Sequence, residues 1–297
     1  MRLLLLGGTG QIGREFLSLD ACKDVEVIAP SRQDLDLTDS QAVRKTIATG
    51  QWSVVVNAAG YTNVDRAESE QAAAFALNAD APSHLAAETG PREIPLIHIS
   101  TDYVFDGRKN APYVETDEAA PLNIYGHSKL AGERAVCRLN PRHIVLRTSW
   151  VYSPHGHNFV KTILRLAGEH ERLTIVEDQR GCPTAARDIA TACRDIALLC
   201  ASGAQRVPHG IYHFAGEGAT NWFEFAKTII EMTSTHLPRV PQIVPIRTID
   251  YPTPAVRPSD TRLDCGAIVR SFGTRLRPWR QSLSETLGEL LANDGVR

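Results

Sequence analysis

The first half of the chain alternates short apolar runs with stretches whose apolar residues recur at helical spacing. The first run, at 3–6, consists of consecutive leucines. The later runs are rich in β-branched residues and lie at 24–29, 53–58, 95–100 and 143–148. Helical spacing falls between the runs, at 12–19, 39–49, 69–88 and 123–139. Strands that alternate with helices in this way predict β-α-β units around a parallel sheet.

The pattern becomes less regular after Tyr152, where proline clusters interrupt the chain at 238–241 and 251–258. Further strands are predicted at 173–176, 211–214 and 242–246. Further helices are predicted at 159–167, 187–199 and 221–232. The whole pattern predicts an α/β fold, with a Rossmann-type doubly wound parallel sheet and a smaller C-terminal α/β lobe. We expect the three later strands to lie in that lobe.

The turn after the first predicted strand carries Gly7, Gly10 and Gly13 in a G-x-x-G-x-x-G arrangement. Glycine suits such a turn because the backbone must adopt positive φ and approach a pyrophosphate closely. The helix that follows points its free N–H groups at the phosphates. The pattern therefore predicts a dinucleotide site, and an ordinary strand-to-helix turn is the alternative interpretation.

The end of the second predicted strand indicates which dinucleotide is bound. An NAD site usually has a carboxylate there that binds the ribose 2′-hydroxyl, whereas this chain has Ser31 and Arg32. A hydroxyl and a guanidinium suit a 2′-phosphate, so NADP(H) is favoured, with NAD(H) as the alternative. Arg32 can also be interpreted as a solvated loop cation. Asp36 and Leu37 follow in the same loop, where they can flank the adenine.

Tyr125 and Lys129 are four residues apart in a predicted helix and therefore share one face of it. A lysine ammonium beside a phenol favours the ionised form and lowers the pKa of the phenol. Tyr125 is thus a candidate general acid. Taken alone, the pair would favour the alternative interpretation, an aromatic helix residue packed beside a surface lysine.

Thr101 strengthens the catalytic interpretation of that pair. It follows the fourth predicted strand, at the carboxyl edge of the sheet where open α/β folds bind their ligands. Its hydroxyl can donate a hydrogen bond to a carbonyl oxygen, and a cap or turn role is the alternative. A glycine-rich turn followed by Thr101, Tyr125 and Lys129 is typical of a carbonyl reductase or an alcohol dehydrogenase.

Composition and charge exclude several classes of protein. Hydrophobic residues make up 43% of the 297 residues and charged residues 22%, which is typical of globular rather than disordered proteins. The formal charge of -2 gives no global field that would attract nucleic acid or an anionic membrane. No apolar run approaches the length of a membrane helix or a signal-peptide core. We therefore expect a cytoplasmic protein without nucleic-acid or membrane partners.

The six cysteines are far apart in the sequence and contain no C-x-x-C pair. They predict neither a disulfide framework nor a structural zinc site, so we interpret them as reduced thiols. The pairs His155 with His157 and His209 with His213 lack further ligands at suitable spacing. We therefore assign no metal site from the sequence.

Several longer segments resemble the extended short-chain dehydrogenase/reductase superfamily and, within it, the dTDP-4-dehydrorhamnose reductase family. The resemblance covers nearly the whole chain. It is carried by TGQIG (9–13), VNAAGYTNVDRAESE (56–70), STDYVFDG (100–107), PLNIYGHSKLAGE (121–133), RTSWVY (147–152), DQRGCPT (178–184) and YPTPAVRPSDTRLD (251–264). These motifs are far more specific than a glycine pattern.

The resemblance implies NADPH-dependent reduction of the 4-keto group of dTDP-4-dehydro-L-rhamnose to dTDP-L-rhamnose, used for bacterial surface polysaccharide. It implies that Thr101, Tyr125 and Lys129 are catalytic, that Thr101 also binds the substrate, and that Tyr125 and Lys129 also bind the cofactor, Lys129 through the nicotinamide ribose. The residues that it assigns to the cofactor pyrophosphate are Gly10, Gln11 and Ile12. Those that it assigns to the adenosine and ribose side are Asp36, Leu37, Gly60, Tyr61 and Thr62.

The resemblance also assigns contacts to the nucleotide-sugar substrate. Asp102 and Trp150 would touch the sugar nucleotide. Arg257 lies in the matching late segment, where a guanidinium suits bidentate binding of a diphosphate. A surface arginine is the alternative interpretation of Arg257.

Some members of the family form dimers around a magnesium ion held by acidic residues. A homodimer and Mg²⁺ are therefore implied, but no acidic cluster in the sequence places the ion. Two other functions occur on the same scaffold: the non-catalytic regulatory subunit of methionine adenosyltransferase, and nucleotide-sugar epimerases or dehydratases. The intact set of Thr101, Tyr125 and Lys129, with the Trp150 and Arg257 segments, favours the reductase over the regulatory subunit. An epimerase or dehydratase retains its cofactor through turnover, so consumption of NADPH in proportion to product would exclude it.

The motifs also suggest a division of the chain into domains. We predict an NADP(H)-binding domain over 1–152, with later segments at about 177–210 returning to it. Residues 153–297 are expected to form mainly a discontinuous substrate-binding lobe.

Overall fold

The computed structural model describes residues 1–19, 25–202 and 207–294. Cys22 lies outside the described residues, and so does Asp24, with which the second predicted strand begins. In the described part of the chain, no helix combines the length and the apolar character needed to cross a membrane.

Within the described residues, the strands form one six-stranded sheet and three two-stranded sheets. In chain order the strands are β1 (Arg2–Leu6), β2 (Glu26–Ile28), β3 (Val54–Asn57), β4 (Leu96–Thr101), β5 (His143–Thr148), β6 (Val151–Tyr152), β7 (Arg172–Val176), β8 (Arg180–Gly181), β9 (Thr184–Ala185), β10 (Gly210–His213), β11 (Thr220–Asn221) and β12 (Gln242–Ile246). The large sheet has the order β10-β5-β4-β3-β1-β2, with every pair parallel. Because β1 lies between β2 and β3, the sheet is wound in both directions from it. The predicted Rossmann-type fold is confirmed.

The helices accompany the strands in the same described ranges. They are α1 (Gln11–Ser18), α2 (Ser40–Thr49), α3 (Val64–Ser69), α4 (Gln71–Phe75), α5 (Ala81–Thr89), α6 (Ile124–Leu139), α7 (Phe159–Glu169), α8 (Ala186–Ala201), α9 (Trp222–Thr233), α10 (Gly266–Phe272) and α11 (Trp279–Asp294). A π-helical turn (Ala76–Asp80) joins α4 to α5. Short 3-10 turns lie at Gly90–Arg92, Asp102–Val104, Ser234–His236 and Thr248–Asp250.

The strands of the large sheet are buried because both of its faces are covered. Leu3 and Leu5 pack into the core on one face, and Leu4 and Leu6 pack into the core on the other. All four side chains are at most 2% exposed. Successive strand residues point to opposite faces, so a continuous apolar run is what a strand between two helical layers requires.

The edge strand β10 differs from the sequence prediction, which places the strand near 211–214 in the smaller lobe. That placement is wrong: β10 pairs with β5, with Tyr212 opposite Leu146. The preceding helix α8 packs on the sheet through Ile189, Cys193 and Ile196. A parallel neighbour requires a crossover connection, and α8 supplies it. A short apolar run in the sequence does not indicate which sheet it will join.

The long helix predicted over 69–88 is interrupted in the structure by the π-helical turn between α4 and α5. The short helix α3 before it was not predicted from the apolar pattern. Asn63 caps α3, because its side-chain oxygen accepts a hydrogen bond from the backbone N–H of Arg66 at 3.1 Å. Such a cap is a start signal for a helix, and it is independent of apolar periodicity.

The smaller lobe has an apolar core of its own. β7 and β12 form a parallel pair, and side chains of α7, α9 and α11 form the core beside it. The largest buried side chains there include Trp279, Tyr152 and Phe225. The Tyr152 hydroxyl donates to the backbone carbonyl of Trp279 at 3.1 Å. This contact fixes the start of the C-terminal helix α11 to the segment that leaves the large sheet.

Candidate active site

The glycine-rich turn lies between β1 and α1, at the carboxyl edge of the large sheet. Gly7 has a φ of +82°, and a Cβ there would lie 2.6 Å from the backbone nitrogen of Ala59. A Cβ on Gly13 would lie 2.1 Å from the carbonyl oxygen of Gly7. The fold itself therefore requires these two glycines. Gly10 has an ordinary φ of −76°, and a Cβ there would lie 3.3 Å from its nearest neighbour, so its missing side chain leaves the turn open.

Gln11 and Ile12 begin α1 directly after that turn. The loop before α7 holds the Gln11 side chain, because Ser153 Oγ and Asn158 Nδ2 donate to its Oε1 at 3.0 and 2.9 Å. Ile12 packs half-buried against the core. The first backbone N–H groups of a helix have no partner within it. They can bind an anion such as a pyrophosphate.

Ser31 and Arg32 follow β2 in an exposed loop. Ser31 donates hydrogen bonds to Asp34 Oδ2 through its hydroxyl at 2.6 Å and its backbone nitrogen at 3.1 Å. The side chain of Arg32 is exposed. A guanidinium in this position is accessible to a phosphate group.

Asp36 and Leu37 lie farther along the same loop. Asp36 accepts hydrogen bonds from the backbone nitrogen and hydroxyl of Thr38 at 2.9 and 2.8 Å. These bonds, with a smaller contribution from the charge of Arg32, lower the pKa of Asp36. Leu37 is 8% exposed and packs into the core. Leu37 therefore anchors this loop to the core.

Gly60, Tyr61 and Thr62 follow β3, and this loop lies beside the helix that carries Lys129. A Cβ on Gly60 would lie 3.8 Å from Lys129 Nζ and 3.1 Å from Asn78 Oδ1. Asn78 accepts a hydrogen bond from the Tyr61 backbone nitrogen at 2.8 Å and donates to the Tyr61 carbonyl at 2.9 Å. Thr62 is exposed. The ammonium thus reaches the loop that the sequence assigns to the cofactor.

Asn78 is a residue of the site that the sequence reasoning missed. It is fully buried in the π-helical turn, and its Nδ2 also donates to Ser128 Oγ at 3.0 Å. The Ser128 hydroxyl donates in turn to the carbonyl of Tyr125 at 2.8 Å. Turns of this kind inside helices are frequent at functional sites. The signal in the sequence is a single asparagine in an otherwise apolar helical stretch.

Thr101 and Asp102 lie at the end of β4, and both are buried. Thr101 Oγ1 donates to Asp102 Oδ1 at 3.1 Å, and Thr261 Oγ1 donates to Asp102 Oδ2 at 2.5 Å. Burial raises the pKa of Asp102 to about 6, against the lowering effect of hydrogen bonds from Thr261, Thr101 and Ser149. Asp102 therefore changes charge slightly below neutral pH while touching the hydroxyl of Thr101.

Tyr125 lies in the first turn of α6, where its phenol is close enough to the Thr101 side chain for Thr101 to lower its pKa. The Tyr103 ring packs edge-on against it, with 5.8 Å between ring centroids. Loss of solvent around the phenol raises the pKa of Tyr125 to about 12, although Thr101 lowers it. The expectation that Lys129 lowers this pKa is wrong for the observed arrangement, because burial, Thr101 and Asp102 are the influences that shift it, and burial is the largest. The phenol is protonated at neutral pH and can donate its proton.

Lys129 lies one turn beyond Tyr125, and its Nζ donates to the carbonyl of Ile99 at 2.6 Å. Burial lowers the pKa of Lys129 to about 8, while the nearby Glu133 carboxylate raises it. Glu133 accepts hydrogen bonds from Ser100 and, at 2.7 and 3.0 Å, from Arg147. The side chains of Arg147 and Glu133 are 4% and 1% exposed. This buried ion pair fixes α6 to β5 beneath the ammonium.

Trp150 lies at the start of the smaller lobe and has a φ of +47°. Its ring stacks on Trp222, with centroids 3.5 Å apart and planes 8° apart. A Cβ on Gly181 would lie 2.5 Å from the Trp150 ring, so a glycine is required there. A left-handed backbone at a large residue persists only where packing maintains it, and such positions cluster at functional sites.

Arg257 lies in the irregular segment between β12 and α10. Its Nη2 donates to Oδ2 of Asp65 on α3 at 2.8 Å. Burial raises the pKa of Tyr103, and the charges of Arg257, Asp102 and Asp65 also act on that phenol. The guanidinium therefore lies within electrostatic reach of the hydroxyl groups at the end of β4.

Acidic side chains gather around Glu15 of α1, which is 2% exposed. Arg187 Nη1 lies 3.8 Å from Glu15 and 3.7 Å from Glu289, so a guanidinium already lies among these carboxylates. Across 1–19, 25–202 and 207–294, no group of three or more His, Cys, Asp or Glu side chains is arranged to hold a metal. The described residues do not fit a magnesium site.

Sequence motifs that are far apart along the chain thus come together at one edge of the large sheet. Thr101 and Tyr125 lie side by side there, and Lys129 reaches the Gly60 loop. A hydroxyl and a protonated phenol side by side can hold a carbonyl oxygen and give it a proton.

Comparisons with known proteins give one consistent result. A family model described as RmlD substrate binding domain matches residues 1–292. The dTDP-4-dehydrorhamnose reductase of Sinorhizobium fredii is 43% identical, over 98% of this chain and 98% of its own length. The crystal structure of a dTDP-4-dehydrorhamnose reductase from Clostridium acetobutylicum has a TM-score of 0.91 and 36% identity, covering 98% of this chain and 100% of that one. The enzyme of that name from Bacillus anthracis, in complex with NADP, has a TM-score of 0.89 and 31% identity, covering 97% and 99%.

Proposed function

The chain belongs to the family that the RmlD substrate binding domain model describes, whose named relatives are dTDP-4-dehydrorhamnose reductases, and on this premise we propose that it reduces dTDP-4-dehydro-L-rhamnose to dTDP-L-rhamnose. It is an NAD(P)H-dependent oxidoreductase. The observation that carries the proposal is that the Thr101 hydroxyl and the Tyr125 phenol lie close enough at the carboxyl edge of the large sheet for Thr101 to lower the pKa of the phenol. The glycine-rich turn also opens on this edge.

Tyr125 acts as the general acid in this proposal. Its pKa of about 12 keeps the phenol protonated at neutral pH, so it carries the proton that the developing alkoxide needs. Thr101 holds the same substrate oxygen through a second hydrogen bond, for which its hydroxyl proton turns from Asp102 Oδ1, its acceptor at 3.1 Å in this structure, to the substrate. Positioned proton transfer of this kind contributes about 10² to 10⁴ in rate.

NADP(H) fits the open turn at Gly10 and the free N–H groups at the start of α1. We assign the pyrophosphate side to Gly7, Gly10, Gln11, Ile12 and Gly13. We assign the adenosine and ribose side to Asp36, Leu37, Gly60, Tyr61 and Thr62. Lys129 would hold the nicotinamide ribose, which its proximity to Gly60 supports. When bound, NADPH supplies the hydride that reduces the carbonyl carbon.

The preference for NADPH over NADH is assigned to Ser31 and Arg32. The exposed Arg32 guanidinium suits the 2′-phosphate that distinguishes the two cofactors. The Bacillus anthracis relative, which was solved with NADP, is consistent with this choice.

We assign the binding of the nucleotide sugar to Asp102, Trp150 and Arg257. Residues 153–297 would form most of the substrate-binding lobe. Asp102 lies in contact with Thr101, so it is close to the reacting carbonyl. The stacked Trp150 offers an aromatic surface for the sugar nucleotide. Arg257 offers a charge for the diphosphate. A homodimer and a cytoplasmic location stay predictions.

The test is a stoichiometry measurement on the purified protein with NADPH and dTDP-4-dehydro-L-rhamnose, with UDP-linked 4-ketosugars in parallel. We expect one NADPH to be oxidised for each dTDP-L-rhamnose formed, with slower reaction of the UDP sugars. Conversion of the substrate to a different, unreduced product without net NADPH consumption would instead indicate an epimerase or dehydratase. A protein that binds NADPH but turns over none of these sugars would indicate a non-catalytic regulatory subunit.

A further inference from the structure

Asp65 lies in the first turn of α3, outside every group of residues assigned above. Both of its carboxylate oxygens are bound to the late segment that carries Arg257. Oδ1 accepts a hydrogen bond from the Ala255 backbone nitrogen at 3.2 Å, and Oδ2 accepts one from Arg257 Nη2 at 2.8 Å. One side chain thus holds both the backbone of the segment and its guanidinium.

The same segment is also tied to the catalytic helix. Asn123 caps α6, and its Oδ1 accepts a hydrogen bond from the Gly126 nitrogen at 2.8 Å. Its Nδ2 donates to the Val256 carbonyl at 2.8 Å. The residue next to Arg257 is therefore bound to the residue two positions before Tyr125. The contacts of Asn123 and Asp65 together fix the guanidinium relative to the phenol.

The Arg257 guanidinium is only partly used by these contacts. Its side chain is 18% exposed, and Asp65 takes its Nη2. Within the described residues, Arg257 Nη1 is buried and has no hydrogen-bond partner. A buried donor without a partner is costly, whereas a guanidinium with one edge held and the other unused is prepared to bind an anion.

We propose that Asp65 is a positioning residue, which holds Arg257 so that its free Nη1 edge meets the diphosphate of the nucleotide sugar. This inference rests on the proposed function, because it needs a diphosphate beside Arg257. Asp65 does not touch the substrate in this account. It remains bound to Nη2 while the ligand takes Nη1.

If Asp65 instead blocked the diphosphate site, the expected effect of removing its charge would be reversed. If Asp65 merely occupied the place of the diphosphate, the ligand would have to displace it, and removing its charge would tighten binding. Long-range electrostatics acts in the same direction, because a carboxylate near an anion site repels the anion. A weaker affinity after removal of the charge therefore cannot come from electrostatics and indicates lost positioning, once the Glu68→Gln control excludes a general effect on α3.

The experiment measures the Kd of dTDP by titration calorimetry for the full chain and its variants. Asp65→Asn removes the charge, and Asp65→Glu keeps it but moves it by one methylene. Arg257→Ala removes the diphosphate contact itself. Glu68→Gln is the matched control, since Glu68 lies on the same helix and accepts its hydrogen bond from Ile124, not from Arg257.

We expect Asp65→Asn and Arg257→Ala each to weaken dTDP binding about tenfold, the size expected for closely coupled contacts. Asp65→Glu should fall between Asp65→Asn and the wild type, and Glu68→Gln should match the wild type. In steady-state kinetics, Asp65→Asn should raise the KM for the nucleotide sugar while kcat and the KM for NADPH stay unchanged. A purely structural defect would change kcat and both KM values.

The diphosphate contact of Arg257 and the positioning role of Asp65 can be refuted separately. If Arg257→Ala binds dTDP as the wild type does, the proposed diphosphate contact is wrong, and the role of Asp65 is wrong with it. If Arg257→Ala weakens binding but Asp65→Asn leaves it unchanged or tightens it, the contact stands and the positioning role is overturned. Equal weakening by Glu68→Gln would also overturn it, because the effect would then belong to the whole helix.

Discussion

Asp102, Tyr125 and Lys129 are all withdrawn from water, and each pKa moves toward the value that favours the neutral side chain. The pKa is raised to about 6 for Asp102 and to about 12 for Tyr125, and it is lowered to about 8 for Lys129. Burial is the largest cause in all three residues. The spacing of Tyr125 and Lys129 predicts their shared helix face, but it cannot predict how strongly the surrounding fold desolvates them.

Thr261 should control the pH dependence of the reaction through Asp102. The hydrogen bond from Thr261 favours the ionised carboxylate and lowers its pKa. Ionised Asp102 accepts the one hydroxyl proton of Thr101 and so competes with the substrate oxygen for it, whereas protonated Asp102 does not. We therefore expect kcat/KM to rise as pH drops through about 6. In Thr261→Val the carboxyl pKa rises, and this inflection of kcat/KM should move to higher pH. Thr261→Ser keeps the hydroxyl and should retain the wild-type inflection; an unmoved inflection in Thr261→Val would refute the link.

Arg32 should set the choice between the two nicotinamide cofactors. Its guanidinium can form a charge-assisted hydrogen bond with a 2′-phosphate, which contributes roughly 1.5–3 kcal/mol. Arg32→Ala should therefore lower the ratio of kcat/KM for NADPH to that for NADH by about tenfold or more. Gln33→Ala, at the exposed neighbouring position, is the control. An unchanged ratio in Arg32→Ala would count against the assignment.

At the scale of the elements, the turn between β1 and α1 contains two kinds of glycine. The fold requires Gly7 and Gly13, whereas the ligand requires Gly10. Gly13→Ala should lower the Tm strongly, because its Cβ would lie 2.1 Å from a backbone oxygen. Gly10→Ala should keep a nearly normal Tm, since its nearest contact is 3.3 Å, while the Kd for NADPH rises. Thermal melts and NADPH titrations of both variants check this. The account of the turn fails if Gly10→Ala binds NADPH normally or Gly13→Ala melts like the wild type.

The ion pair between Glu133 and Arg147 should contribute to stability in a way that surface pairs do not. Glu133→Gln leaves a buried guanidinium without its countercharge, and breaking such a pair costs about 3–5 kcal/mol. Arg165→Ala removes an exposed pair with Glu169, whose side chains are 60% and 48% exposed, and should cost less than about 1 kcal/mol. Urea unfolding measures the loss in free energy of unfolding for both variants. Similar midpoints for the two variants would show that α6 is not held to β5 by this pair.

The sequence predicted the elements of the large sheet well because their signals are local. A buried parallel strand requires a continuous apolar run, and the leucines of β1 supply one. The break between α4 and α5 was missed because the cause is Asn78, whose partners Tyr61 and Ser128 lie 17 and 50 residues away. Apolar periodicity contains no information about such partners.

At the scale of the whole molecule, the site is completed by contacts between distant parts of the chain. Asp102 and Thr261 are 159 residues apart, and Asp65 and Arg257 are 192 residues apart. The late segment reaches the catalytic helix because the chain returns from the smaller lobe. The family motifs indicated that this segment matters, but its partners Asp65 and Thr261 become visible only in three dimensions.

The return of β10 to the large sheet has a similar origin. Its pairing with β5 depends on the crossover through α8, whose apolar face covers the sheet. The strand itself is four residues long and ends in a histidine. Such a short run predicts a strand, while its partner depends on the packing of the helix before it.

The central claim is that Tyr125 gives the proton that completes carbonyl reduction, and Tyr125→Phe tests it most directly. The variant keeps the ring that packs against Tyr103 and loses only the hydroxyl. Tyr212→Phe, at a buried tyrosine of β10, is the control. The measurement is the rate of NADPH oxidation with saturating dTDP-4-dehydro-L-rhamnose, together with the Kd of NADPH. The account predicts that Tyr125→Phe loses about 10² to 10⁴ in kcat with an unchanged Kd, and a Tyr125→Phe enzyme that turns over like the wild type would contradict it.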